Sequence, residues 1–201
     1  MKLTKIEPII NSLPNGTILR KTIALALRIL TGVAVFLGLF TILDFIGTTI
    51  DVIDQSPAQA LGALISIALI IIAMVIAVKI LLLRAKNILA GNQTEYPIIH
   101  LSLPLLRTAG DMLALYYTTA GLIAGIMHWF GGNLPITDFW QMLILSSDAW
   151  RLLLSSGISN IPSVILGLGI ILSSLIQGLI SLLFFYLLAE LLIVLKRLTL
   201  K

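Results

Sequence analysis

The chain has 201 residues, of which 59% are hydrophobic and 11% charged, with a mean hydropathy of +1.10. A soluble domain of this length exposes far more Lys, Glu, Asp and Arg, so the composition excludes one and points to an integral membrane protein. The net charge of +4 does not imply nucleic acid, since no basic patch with interleaved aromatics accompanies it, and the lack of cysteine removes disulfides, thiolate nucleophiles, Fe–S clusters and Cys-ligated zinc.

Residues 1–21 mix apolar and basic side chains broken by Pro8, Pro14 and Asn15-Gly16, the pattern of a short amphipathic segment on the membrane surface. From about Thr22 to Gly47 the chain is apolar for long enough to cross a hydrocarbon core of about 30 Å, which takes about 20 helical residues. This is the first expected span, 22–47. Ala58-Gln59-Ala60 imitates a signal-peptidase site, but it lies past the apolar run and behind Asp44, Asp51 and Asp54, so the stretch reads as a span and not as a leader. Gln55-Ser56-Pro57 opens the second span, 58–83, which leaves the membrane at Arg84 and Lys86. A small-residue face, Gly62, Ser66, Ala73 and Ala77, runs along it. A polar loop with Gly91-Asn92 and Pro97 as breakers follows, and the third span is expected at 105–130, with Pro104 in a lead-in turn.

This third span is the most informative. Gly110, Ala114, Thr118, Gly121 and Gly125 recur at steps of three and four, so on a helix they form one groove of small side chains that admits another helix closely. Beyond it, residues 137–155 place Phe139, Trp140, Leu143, Trp150 and Leu154 on one helical face, and Asp138, Ser147, Asp148 and Arg151 away from it. The pattern predicts an amphipathic helix lying in the interface, N-capped by Thr137 or Asp138. Trp129, Trp140 and Trp150 would then anchor one membrane surface as an aromatic belt. The last span, 162–195, is about 50 Å long at 1.5 Å per residue and must tilt, kink or protrude. Gly167, Ile170, Ser174, Gly178 and Ser181 give it a second ridge.

The fold class read from this pattern is all-α: a polytopic membrane protein with four transmembrane helices and one interfacial amphipathic helix, forming a single domain over 1–201. Twelve of the thirteen Lys and Arg residues fall on one side of such a topology, with only Arg151 on the other, so the positive-inside rule places both termini in the cytoplasm of a plasma or inner membrane. The N-glycosylation patterns at Asn15 and Asn92 then lie on the cytoplasmic side and carry no weight. The two hairpins share basic exits, AVKILLLRAK and ELLIVLKRL, without the residue-by-residue match that internal duplication requires.

Five ionisable residues fall within the cytoplasmic third of the spans: Arg28, Lys79, Arg107, Asp111 and Glu190. Each costs about 2.5 to 3.5 kcal/mol on insertion scales, so such groups pair, line water or serve a function. Two readings follow. In one, Arg107 and Arg28 hold Asp111 and Glu190 in a relay for protons or ions; in the other, the basic residues snorkel, Asp111 pairs with Arg107 at i,i+4, and Glu190 pairs with Lys196 or Arg197. The second is the more economical, because no charge reaches the midplane where transporter sites lie. His100 and His128 fall at opposite ends of one helix and cannot share a haem. The polar Ser173, Ser174, Gln177 and Ser181 serve helix contact better than a pore. No catalytic motif or metal-ligand spacing appears, so no enzyme activity, cofactor or metal is expected.

The small-residue faces favour an accessory, assembly or stabilising subunit that packs in the bilayer against a larger membrane-protein complex or against its own copies. The alternative is a transporter or channel component using the polar cluster. A lipid-acting enzyme, with Arg28 and Lys79 on anionic headgroups, lacks a nucleophile.

Overall fold

A computed structural model describes residues 17–90, 97–131 and 163–199. The described chain is all-helical, in four helices: α1 (Thr17–Val52), α2 (Pro57–Ala90), α3 (Pro97–Trp129) and α4 (Ser163–Thr199). Three of them, α1, α2 and α4, are long and apolar enough to cross a membrane. The expected surface segment over 1–16, the loop at 91–96 and the interfacial helix at 137–155, with Trp140 and Trp150, lie outside the described residues.

Local chemistry accounts for the helix ends. α1 and α2 run past the expected spans at both ends, since nothing between Gly47 and Val52 interrupts the backbone ladder and exposed Asp44 and Asp51 tolerate a helical surface. The connecting turn is tight, with Gln55 and Ser56 both donating to the Val52 carbonyl at 3.1 and 2.8 Å. Pro57, whose missing N–H costs nothing in a first helical turn, then starts α2. α3 begins at Pro97 and carries Pro104 inside the helix, not in a lead-in turn. Pro104 forfeits its own N–H bond, but its carbonyl accepts from Thr108 Oγ1 at 2.6 Å. The end of α3 is a glycine stop: Gly131 sits at φ +72°, a left-handed geometry open to glycine, and its N–H reaches the His128 carbonyl at 3.3 Å.

The helices contribute to two compact units. The first comprises the described parts of 1–35, 76–113 and 181–201. Its core is Ala24 and Leu27 of α1, Leu81, Ala85 and Ile88 of α2, and Leu101 of α3. Here α3 meets α4 where Gly110 faces Phe185: a Cβ at Gly110 would come to 3.0 Å from the Phe185 Cβ. The second unit comprises the described parts of 36–75 and 114–180. Its core is Phe45 of α1, Ala63 and Ile70 of α2, and Ile123 and Met127 of α3. In it, the small residues of α3 and α4 meet one another. Gly121 lies against Ser174, Gly178 lies 3.1 Å from the Ala114 carbonyl and 3.3 Å from Thr118 Oγ1 by the position its Cβ would take, and a Cβ on Gly125 would stand 2.8 Å from the Gly167 carbonyl. Each glycine removes the side chain that would hold the two backbones apart.

α3 is the least apolar of the four and is not among the three long apolar helices. It is also the best shielded: of its described side chains only Trp129 is exposed, whereas α1, α2 and α4 show large apolar side chains along their outer faces. The described polar side chains of α3 short of Trp129 are therefore buried or half-buried.

Candidate functional site

Charge is unevenly divided between the units. Among the described residues, the first unit holds nine Lys and Arg with two acids, Asp111 and Glu190, and the second holds Asp44, Asp51 and Asp54 with no Lys or Arg. The polar side chains of the first unit that lie between helices form the candidate site.

Arg84 enters it from α2. The residues Ala77, Leu81, Ala85 and Ile88 are buried, and Arg84 lies on that same helical stripe, so its stem follows the core and its guanidinium emerges against α3. Nη2 of Arg84 donates to Asp111 Oδ2 at 2.7 Å. The other oxygen of Asp111 accepts from the Tyr186 hydroxyl of α4 at 3.0 Å, and the same Arg84 nitrogen approaches that hydroxyl at 3.4 Å. Arg84, Asp111 and Tyr186 thus close a triangle that ties three helices together. The side chains are 23% and 17% exposed at Arg84 and Asp111, so the pair is shielded without being dry.

A second pair stands beside it. Nη2 of Arg107 donates to Glu190 Oε1 at 2.7 Å, with Glu190 61% exposed. The Arg107 guanidinium carbon lies 5.6 Å from the centroid of the Tyr186 ring, within the range of a cation–π contact. Tyr186 therefore touches both pairs, through its hydroxyl on one side and its ring on the other. Arg107 Nε is buried and has no hydrogen-bond partner among the described residues.

Of the five intramembrane ionisable residues expected from sequence, the structure brings Arg107, Asp111 and Glu190 together. Their pairing differs from the more economical of the two expectations, and only the Arg107 contact to Glu190 falls within the other. Arg107 and Asp111 do not bond to each other, because Arg107 extends to α4 while Asp111 is claimed by α2 and by Tyr186. Glu190 is held by Arg107, across 83 positions of chain, and not by a neighbour on its own helix. Arg28 and Lys79 are exposed and enter neither pair. Arg84 and Tyr186 are the two participants that the sequence reading missed; the signal for Arg84 was its register with Leu81 and Ile88.

In the second unit, Trp129 donates from Nε1 to the Val164 carbonyl at 3.0 Å and fills the space above Gly167. Ser174 is buried against Gly121, and Ser181 is half-buried. His128 Nε2 and Gln177 Oε1 are buried without a hydrogen-bond partner among the described residues. No group of three or more His, Cys, Asp or Glu side chains gathers to hold a metal ion among the described residues.

No family model, curated protein or solved structure matches the chain. Both oxygens of Asp111 are occupied by donors from other helices. Through this one side chain α2, α3 and α4 are joined.

Proposed function

We propose that the chain is a four-span membrane protein of the plasma or inner membrane, with both termini cytoplasmic, that serves as a non-enzymatic accessory or stabilising subunit beside larger membrane partners or its own copies. The observation that carries this reading is the fate of the intramembrane acids: Asp111 and Glu190 are both bound to arginines of other helices, which makes the polar cluster a structural clasp. The concentration of Lys and Arg in one unit supports the orientation, and the pairing of both charges of α3 with residues of other helices supports counting it as the fourth span.

The small-residue ridges of α3 and α4 are largely engaged with each other. Partner contact consequently falls to the outer faces of α1 and α4, where Phe36, Phe40, Leu43, Phe184 and Leu187 stand exposed. A transport role retains one supporting observation, the exposed carboxylate of Glu190 next to a buried Arg107 Nε with no hydrogen-bond partner among the described residues.

Extraction in a mild detergent, one-step purification through a tag and native mass spectrometry of everything that accompanies the protein tests the reading. A stoichiometric membrane partner or a defined homo-oligomer is the expected result. A lone monomer that carries ion or proton flux when reconstituted, with flux lost in Glu190→Gln, would replace the subunit reading with the transport one.

A further inference from the structure

We infer that the exposed cationic surface of the first unit binds the phosphate headgroups of anionic phospholipids. The inference rests on the membrane-embedded part of the reading above and is independent of any protein partner. Its basis is an imbalance of charge. The two described acids of the unit are consumed by Arg84 and Arg107, which leaves Lys21 and Arg28 on α1 and Lys79 and Lys86 on α2 exposed, with no ion pair to any described residue.

The placement of these four is regular. Lys21 and Arg28 follow the start of α1 by four and eleven residues, and Lys86 and Lys79 precede the end of α2 by the same intervals. At 1.5 Å per residue these positions lie about 6 and about 16 Å along each helix. Ala24 and Leu27 of α1 pack in one core with Leu81 and Ala85 of α2, so the two helices run side by side here. The result is a shallow tier, Lys21 and Lys86, and a deep tier, Arg28 and Lys79.

Apolar neighbours decide what these cations meet. Leu25, Ile29, Leu82 and Leu83 are all exposed around them, a surface that belongs in acyl chains and provides no anion. A cation set in such a surface must draw its counter-charge from the headgroup layer, by snorkelling outward or by drawing a phosphate inward. The long Lys and Arg stems lie along the apolar surface while their heads reach for phosphate, and two tiers let one helix pair engage headgroups at two depths. A zwitterionic headgroup offers the same phosphate but cancels it with its own ammonium, so the net attraction is for anionic lipid.

The test uses full-length protein reconstituted into nanodiscs of phosphatidylcholine and phosphatidylglycerol in equal amounts. The lipids retained after gentle detergent release are identified by native mass spectrometry. The wild-type protein should retain phosphatidylglycerol in excess over the bulk ratio. The variant Lys21→Gln/Arg28→Gln/Lys79→Gln/Lys86→Gln should lose that excess, each cation accounting for about a fivefold change in relative affinity. A Lys21→Arg/Lys79→Arg variant should keep it. Circular dichroism checks helix content, and if the quadruple variant fails to fold, the double variant Lys21→Gln/Lys86→Gln must still show a reduced excess. Retention at the bulk ratio by wild type, or an undiminished excess in a folded Gln variant, overturns the inference. Displacement of phosphatidylglycerol by inorganic phosphate at comparable concentration would show a site for the free ion, and overturn the lipid assignment. Failure of the protein to enter nanodiscs at all would instead refute the membrane-embedded reading.

Discussion

Replacing Asp111 by Asn should be the most damaging single change to the polar cluster. The substitution keeps the shape but removes the charge that faces Arg84 Nη2 at 2.7 Å, and it weakens the acceptor of the Tyr186 hydroxyl at 3.0 Å. Breaking a buried ion pair by removing one partner costs about 3 to 5 kcal/mol, because the other charge is left uncompensated. Asp111 and Arg84 keep 17% and 23% exposure, which moves the expected cost to about 3 kcal/mol, the lower end of that range. The double variant Arg84→Gln/Asp111→Asn should then be more stable than the sum of the single losses implies, with a coupling of about 2 kcal/mol. The Arg107 and Glu190 pair has the same 2.7 Å separation, but at 61% exposure Glu190 is solvated, and its coupling should stay below about 1 kcal/mol. Unfolding in mixed micelles by increasing SDS, followed by circular dichroism, yields all the required energies. Equal coupling in the two pairs would refute the reasoning, as would a stronger coupling of Asp111 to Arg107 than to Arg84.

Gly125→Leu should destabilise by about 3 kcal/mol, since its first carbon already falls 2.8 Å from the Gly167 carbonyl and the helices must separate to admit it; Gly32→Leu, at a position with nothing within 4 Å, should be close to neutral in the same SDS titration. Tyr186→Phe should cost about 1.5 to 3 kcal/mol through the lost bond to a charged acceptor, while leaving the Arg107 coupling to Glu190 unchanged in a double-mutant cycle. Trp129→Phe should lower stability by about 1 kcal/mol by deleting the donor to the Val164 carbonyl, with an unchanged denaturation midpoint counting against that bond.

The helical character of the chain and the long apolar runs of α1, α2 and α4 were legible in the sequence, because length, hydropathy and breakers such as Pro57 are local properties. The spacing of Gly110 to Gly125 and of Gly167 to Gly178 was equally visible as two ridges; that each would meet the other was not, since a ridge specifies close approach without specifying to what. The ion pairs were the least legible part. Asp111 had a basic residue four positions away on its own helix, and the favoured local pairing was the natural inference. The partner it takes lies 27 positions off, and the register of α2 against α3 is set by how Leu81, Ala85 and Leu101 pack, which no local pattern encodes. Arg84 looked like the end of a span because it follows a Leu run, although its phase with Leu81 and Ile88 already turned it inward. Pro104 misled in the opposite way, since the helix absorbs it and starts at Pro97.

The shielding of α3 has a consequence for biogenesis in the four-span reading. On its own, α3 is a poor substrate for lateral release into lipid: Arg107 and Asp111 together carry an insertion penalty of about 5 to 7 kcal/mol. Arg84 of α2 precedes Asp111 in synthesis and can neutralise it as soon as α3 emerges, but Glu190, Tyr186 and the residues that cover Gly121 and Gly125 all reside on α4, which is made after the other three. The nascent chain must therefore carry an incompletely sheathed helix until the ribosome has finished α4. A truncated product ending before residue 163 would retain that exposed glycine groove and an unanswered Arg107, the features by which membrane quality control would distinguish it from the finished protein.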